Sequence, residues 1–330
     1  MENESSAKLA SEPYVWDGPT SAPPVSQIAL CVMTKNGAAR LPRLFESVKG
    51  FADLAIVLDT STNAETLMWL KEQVILPVAV KSEAFTNFEV TRNSLFAYAK
   101  GKAEWLLLLD DDMALNFTLE KSLVQMIIGK TALNVPAYMM KHVGGLEYWV
   151  TRLVRGNMDW SYKGVTHEYL VGGGPQNPRL EGVDILHFYN HGPEKFSRDL
   201  LMLSTDIARD PNDHRTIFYL ANTLRDAGYL EAAVRFFHMR AEMGGWEEEV
   251  YVSKYEAARL TQDPLAMARV YAFRPSRAEP SAWLALYYGR PETKNSKLAY
   301  MWETKRAETP PTKDILFVIP HAYGPELKPL

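Results

Sequence analysis

The sequence predicts an α/β unit built on a mostly parallel sheet, followed by an all-α unit. Short apolar runs of strand length alternate with amphipathic stretches of helix length from Gln27 to Leu109, the pattern of a doubly wound sheet. Beyond about Lys195 apolar positions recur at three- and four-residue spacing, the signature of helices. A length of 330 residues also exceeds one typical domain. The division expected is an arm over 1–26, an α/β domain over 27–194 and a helical domain over 195–330.

The elements follow in order. Residues 1–26 mix Ser, Pro and acidic residues, as in Ser21-Ala22-Pro23-Pro24, and read as a tail or arm. Ile28 to Met33 is an apolar strand and Ala38 to Lys49 an amphipathic helix. Leu54 to Leu58 is a second strand, Ala64 to Gln73 a second helix and Val78 to Val80 a short strand. Glu89 to Lys100 is a helix, and Trp105 to Leu109 a buried strand. After Lys195 the one stretch that reads as a strand is Ile315-Leu316-Phe317-Val318.

Composition narrows the function classes. A hydrophobic content of 47% with 23% charged residues describes an ordinary globular chain. The formal net charge of −4 supplies no global footprint for nucleic acid or an anionic membrane. One cysteine, Cys31, lies in an apolar run, which excludes an internal disulfide and argues for a reducing cytosol. No apolar run is long enough to span a bilayer, and Met1-Glu2-Asn3-Glu4 is no signal peptide, so the cytoplasm is the expected compartment.

The most informative motif is Asp110-Asp111-Asp112, directly behind the strand Trp105–Leu109. Three adjacent carboxylates repel one another unless a cation or hydrogen-bond donors neutralise them. In an extended stretch Asp110 and Asp112 point to one side and can grip a hard divalent ion, Mn²⁺ or Mg²⁺. The carboxyl ends of strands in an open α/β sheet are where ligands bind. Two more polar clusters fall at such ends: Thr34-Lys35-Asn36-Gly37 after the first strand and Asp59-Thr60-Ser61-Thr62-Asn63 after the second. Neither loop carries a G-x-G-x-x-G fingerprint or a P-loop, which disfavours a dinucleotide enzyme or an ATPase. A domain that handles nucleotide phosphate through a metal ion is the reading that remains.

These residues resemble the family-2 glycosyltransferases of the GT-A (Rossmann-like) fold, in the bacterial and phage branch that adds a tetratricopeptide-like (TPR-like) helical domain. Ile28-Ala29-Leu30-Cys31-Val32-Met33-Thr34-Lys35-Asn36 is similar to the family's opening strand and Lys-Asn motif, and Leu41-Pro42-Arg43-Leu44-Phe45-Glu46-Ser47-Val48 to its first helix. Asp110-Asp111-Asp112 resembles its D-x-D motif, and Gly164-Val165-Thr166-His167-Glu168 its Gly-x-Val-His-Glu segment. In the second half, Arg225-Asp226-Ala227-Gly228, Met243-Gly244-Gly245-Trp246 and Arg274-Pro275-Ser276-Arg277-Ala278-Glu279-Pro280 match the helical domain. The resemblance runs from about Gln27 to about Val318. It departs at Gly37, where the family usually has an acidic residue, and at Thr60-Ser61-Thr62-Asn63, where it is usually glycine-containing.

The resemblance implies a metal-dependent inverting transferase that moves a sugar from a nucleotide-sugar donor, most simply a UDP-sugar. Asp59 would contact the base, and Arg92 with Asn93 would lie near the diphosphate, beside the loop Thr34, Lys35 and Asn36. Asp110 and Asp112 would hold the metal, with Asp111 beside the nucleotide and His187 or His191 completing the site. Inversion requires a base: Glu168 is the candidate, next to His167, with Asp159 as the alternative. Arg152 and Arg155, on the element before that turn, are candidate diphosphate clamps. Relatives of this kind modify polysaccharides, peptides, phage proteins and hydroxymethylated DNA bases. The stretch 129–180, with six Lys/Arg against three acids, permits a polyanionic acceptor without demanding one.

In the helical half Phe218, Tyr219, Leu220, Ala232, Ala233 and Phe237 alternate bulky and small residues as paired, stacking helices do, which offers grooves or a homodimer surface. The second function class open to the sequence is therefore a helical-repeat adaptor whose catalytic half has decayed.

Overall fold

The computed structural model describes residues 14–16, 26–144, 147–173, 177–188 and 194–324, and the chain divides into two compact units, Met1–Gly192 and Pro193–Leu330. The first unit runs β1 (Tyr14–Trp16), β2 (Ser26–Thr34), α1 (Leu41–Val48), β3 (Leu54–Asp59), α2 (Glu65–Glu72), β4 (Val78–Ser82), α3 (Phe88–Ala99) and β5 (Ala103–Leu108). It continues with β6 (Met113–Phe117), α4 (Lys121–Gly129), β7 (Ala137–Val143), β8 (Tyr148–Arg155), β9 (Ser161–Lys163), β10 (Tyr169–Val171) and β11 (Arg179–His187). Up to β5 every expected strand and helix is present, with ends shifted by at most three residues.

Nine strands form one sheet in the order β1-β4-β3-β2-β5-β8-β7-β11-β6. Six of them (β4, β3, β2, β5, β7 and β11) run in one direction, while β1, β8 and β6 oppose them. The sheet is therefore mostly parallel, as expected. The segment read as an arm contributes β1, which pairs antiparallel with β4 as an edge strand. Alternation along β2 sorts its side chains between two cores. Ile28, Leu30 and Val32 pack with Leu41, Leu44, Phe45 and Val48 of α1. Ala29 and Cys31 pack on the other face with Leu95, Phe96 and Ala99 of α3. Cys31 is thus a core residue, and burial pushes its thiol up, which keeps it unreactive.

β6 to β11 were not legible as strands. They are short or run in antiparallel pairs with one wet face, so they lack the continuous apolar signal of a parallel strand. The pairing of β7 with β8 steps from Tyr138↔Leu153 to Met139↔Thr151, which leaves Arg152 as the extra residue of a β-bulge.

The second unit is a chain of helices: α5 (Glu194–Arg209), α6 (His214–Asp226), α7 (Leu230–Glu242), α8 (Glu247–Thr261), α9 (Pro264–Phe273), α10 (Glu279–Gly289) and α11 (Ser296–Glu308). Each packs on the next through short connections. Local chemistry sets several starts. Asp213 accepts from the amides of Arg215 and Thr216, and Asp263, followed by Pro264 in the first turn, accepts from Leu265 and Ala266. Ala221, Ala233 and Ala257 let α6, α7 and α8 approach closely around Phe237. No helix among the described residues is long and apolar enough to cross a membrane.

Ile315–Val318 is not a strand. It lies in an irregular strap, bent at Leu316-Phe317, several of whose backbone groups bond to side chains of the helical unit. Glu248 accepts from the amides of Ile315 and Leu316 at 2.9 and 2.7 Å, and Glu279 accepts from Ile319 at 3.1 Å. Arg277 donates to the carbonyls of Leu316 and Phe317 at 3.2 and 3.1 Å, and Arg274 grips Asp314 with two bonds of 2.6 Å. The motif Arg274–Pro280 is thereby explained: Arg277 and Glu279, paired at 2.9 Å and both fully buried, fasten the strap. Replacing Arg277 by Met strands the Glu279 charge and two carbonyls. Urea denaturation should show a loss of about 3–5 kcal/mol, with faster tryptic cleavage at the exposed Lys313.

Candidate active site at the carboxyl edge of the sheet

β2, β3 and β4 are in parallel register at Thr34↔Asp59 and Asp59↔Ser82, so the loops that follow them share one edge. Those loops are stitched together. The Asn36 amide donates to Ser61 Oγ at 2.8 Å, and the Asn36 side chain accepts from the Thr62 amide at 3.0 Å. The Gly37 amide donates to Thr66 Oγ1 at 3.0 Å. A Cβ on Gly37 would sit 1.9 Å from Thr34 Oγ1 and 3.0 Å from Asp111 Oδ2, so the loop has no room for the acidic residue the family pattern would place there. Lys35 is exposed, and its carbonyl accepts from Arg40 at 2.9 Å. Asp59 is buried, with Oδ1 accepting from the amide and hydroxyl of Ser61; burial pushes its carboxyl up, against the pull of those bonds.

The acidic triplet follows β5 but is not extended. The Met113 amide donates to the Asp110 carbonyl at 3.0 Å, closing a tight turn into β6. A turn does not alternate as a strand does, so Asp110 and Asp112 do not simply point to one side. Each carboxylate meets its own cationic or titratable partner. Asp111 accepts from Arg40 Nε at 2.9 Å and Nη2 at 2.7 Å, and from Thr34 Oγ1. Asp112 Oδ2 lies 3.1 Å from His187 Nε2, brought there by the β11–β6 pairing of His187 with Met113. Asp110 Oδ1 accepts from Arg92 Nη2 at 2.6 Å, and its Oδ2 is 3.7 Å from Arg152 Nη1. Burial alone pushes the Asp110 carboxyl up, but Arg92 and Arg152 together outweigh it and bring it down to about 2.

Arg92 also donates from Nε to Glu168 Oε1 at 2.6 Å. One guanidinium therefore joins the acidic triplet to the turn carrying Glu168. Burial works against its charge, and Asp110 and Glu168 more than restore it. The turn is docked on one face of α3. Glu89 accepts from the Gly164 amide at 2.6 Å, the Phe88 amide donates to the Val165 carbonyl at 3.1 Å, and the Asn93 side chain pairs with the Tyr162 backbone at 2.7 and 3.0 Å. These residues recur at three- and four-residue spacing, which is why they share a face. Gly164 (φ 107°) and His167 (φ 51°) take the left-handed conformations the turn requires, and His167 is exposed.

Several expected site residues lie elsewhere or serve the scaffold. Arg155 is buried against Trp105, 4.0 Å from the ring centroid, and pairs with Glu104. Its strand partner is Trp105, at the amino-terminal part of β5 and far from Asp110. Three residues along a strand span about 10 Å and change face, so Arg152 and Arg155 cannot serve one ligand. The bulge instead aims Arg152 at Asp110. Asp159 is exposed and pairs with Lys100 at the end of α3, two turns or about 12 Å beyond Arg92, which removes it from the Glu168 neighbourhood. Asn93 spends its amide on Tyr162 and so positions the turn. His191 lies outside the described residues.

Two residues were missed. Arg40, the partner of Asp111, belongs to no motif. His142, on β7, is 2% exposed, stacked on Tyr148 at 4.7 Å and 6.2 Å from the His187 ring. Burial first, then Arg152 and His187, push its imidazole down to about 3.

The donors present fit a hard divalent ion in chemistry, being two carboxylates and an imidazole. Among the described residues no three His, Cys, Asp or Glu side chains converge into a closed metal cage.

No protein-family model matches the chain. It is 26% identical over 253 residues to a TPR repeat-containing protein of Synechococcus elongatus, over 72% of this chain and 62% of that protein. The chain thus spans under two thirds of that relative's length. It is similar to the crystal structure of S. aureus TarS, at 14% identity, 88% of this chain, 57% of that chain and a TM-score of 0.35. For the structure of TarS 1-349 the values are 12%, 86%, 93% and 0.34.

Burial raises the Asp59 pKa on folding, so its protonation stabilises the fold at low pH and that stability is lost as pH rises through the folded pKa. Asp59→Asn keeps the acceptor for Ser61 and never ionises. Its melting temperature should exceed wild type at pH 7, with the gain vanishing below the ordinary carboxyl range near pH 4. A gain that grew on acidification would reject burial as the dominant influence.

Proposed function

We propose that the protein is a metal-dependent, inverting glycosyltransferase of the family-2, GT-A type, using a nucleotide-sugar donor, most simply a UDP-sugar. The observation that carries this reading is the Arg92 bridge. It brings the acidic triplet and Glu168, 56 residues apart from Asp112 in sequence, to one place at the carboxyl edge of a nucleotide-binding type of sheet. The likeness to a TPR repeat-containing protein agrees with a helical-repeat module after it.

In this reading Asp59 and the stitched loop Thr34–Asn36 receive the nucleoside, and Arg152 faces the diphosphate. Asp112 and His187 would supply the protein ligands to Mg²⁺ or Mn²⁺, with water and the donor phosphates completing its shell. Bound there, the ion would neutralise charge on the departing diphosphate as a Lewis acid. The acceptor nucleophile attacks the anomeric carbon, the bond from that carbon to the diphosphate oxygen breaks, and the diphosphate leaves with the electron pair. Glu168, held through Oε1 by Arg92, takes the acceptor proton on its other oxygen. Arg92 fixes both carboxylates before substrate arrives, so little reorganisation is left for the reaction.

Asp112→Asn should abolish Mn²⁺-dependent hydrolysis of sugar nucleotides, read by mass spectrometry across a donor panel. Melting temperature without metal should not fall, because one member of a like-charged cluster has been removed. Retained hydrolysis would rule out Asp112 as a metal ligand. Glu168→Gln keeps the contact with Arg92 but cannot take a proton. Turnover should fall by about 10²–10⁴ with donor affinity unchanged, and a matching loss of donor affinity would place Glu168 in the donor site.

A further inference from the structure

We propose that Arg40 is a positioning residue that latches the nucleotide loop to the acidic turn, with Asp111 as the catch of that latch. The inference rests on the glycosyl-transfer reading and gives the middle aspartate a task other than metal binding. The Arg40 guanidinium donates from Nε to Asp111 Oδ1 at 2.9 Å and from Nη2 to Asp111 Oδ2 at 2.7 Å. The same Nη2 donates to the Lys35 carbonyl at 2.9 Å, and Thr34 Oγ1 donates to Asp111 Oδ2. Both oxygens of Asp111 are thus engaged by the segment between β2 and α1. A carboxylate gripped by a planar fork is held in one orientation. Asp112, by contrast, meets His187 through a single oxygen.

The loop on the other side of the latch is anchored toward β3. The Thr34 carbonyl accepts from the Thr60 amide at 2.8 Å, Asn36 is joined to Ser61 and Thr62, and the Gly37 amide reaches Thr66. Asn36 stands at φ 51°, so the course of the loop carries a conformational cost that these contacts offset. The Arg40 amide donates to the Gly37 carbonyl at 2.8 Å, and this turn folds the Arg40 side chain back onto Lys35.

Arg40 and Arg92 therefore hold neighbouring aspartates for different ends of the reaction. Arg92 reaches onward to Glu168, on the acceptor side, and Arg40 to the loop beside Asp59. Without Arg40 that loop keeps its bonds to the β3 side but loses its fork on the acidic turn. A nucleoside diphosphate spans both places as one molecule. It binds best when they are fixed relative to each other beforehand, because otherwise its binding must order them.

The test is calorimetric titration of the full chain with UDP, GDP and ADP in the presence of Mn²⁺, alongside thermal melts. Arg40→Gln should weaken the diphosphate that wild type binds tightest by about tenfold or more. Arg40→Lys keeps the charge opposite Asp111 but not the planar fork. It should retain the wild-type melting temperature and recover only part of the affinity. Asp111→Asn should also weaken binding, and the double variant Arg40→Gln/Asp111→Asn should lose no more than the worse single variant, since both remove one contact. Losses that multiply in the double variant would show that each residue touches the nucleotide by itself, and would overturn the latch. Full affinity in Arg40→Lys, or a lower melting temperature with affinity unchanged in Arg40→Gln, would overturn it as well. If wild type binds no nucleoside diphosphate, the glycosyl-transfer reading fails and the latch with it. Wild-type binding with indifferent Arg40 variants removes the latch alone.

Discussion

Three consecutive aspartates at the end of a buried strand repel one another, and the first unit meets that constraint by giving each a different partner. Arg92 comes from α3, Arg40 from the start of α1 and His187 from the end of β11. The turn after β5 is thereby tied to all three elements. Topology meets an electrostatic need: the elements it brings together carry the groups that offset the repulsion. The close approach of Gly37 to Thr34 and Asp111 belongs to the same condition, since a side chain there would push aside the Thr34 hydroxyl that donates to Asp111.

Arginines of one unit divide their work by strand geometry. Arg152 and Arg155 lie three residues apart, yet one borders the acidic turn and the other is sealed beneath Trp105 and Glu104. The bulge at Arg152 gives it an aim that regular pleating would not. Arg92 is set apart by having two carboxylates, so it holds the end of β5 and the 164–168 turn in one register. The result is an edge in which the acids are held in place by neighbouring side chains.

The helical unit applies the same principle to a structural end. Arg277, Glu279, Arg274 and Asp314 form a network in its interior, and the backbone of the strap is satisfied by these side chains in place of a sheet partner. A strap held this way has a single seat, because the amides of Ile315, Leu316 and Ile319 and the carbonyls of Leu316 and Phe317 each meet a charged group of fixed position.

Much of this was legible in the sequence. The alternation from Ile28 to Leu109 fixed a parallel-type sheet because buried strands there are nearly all apolar and each is followed by a helix of matching length. The acidic triplet and the polar ends at Thr34 and Asp59 stand where that alternation puts the carboxyl edge, while Glu168 was picked out by the family resemblance. What the sequence could not carry was pairing. That Arg92 joins Asp110 to Glu168, that Arg40 serves Asp111, and that His142 lies buried beside His187 follow from strands and helices distant in the chain. The separation of Arg152 from Arg155, and of Asp159 from Glu168, depends on element type and register, and antiparallel strands such as β7 and β8 leave too faint a pattern to reveal either. Local periodicity, which reports burial within one element, was read from the residues; contacts between elements, where charges are matched and polar atoms left waiting, were decided by the tertiary structure alone.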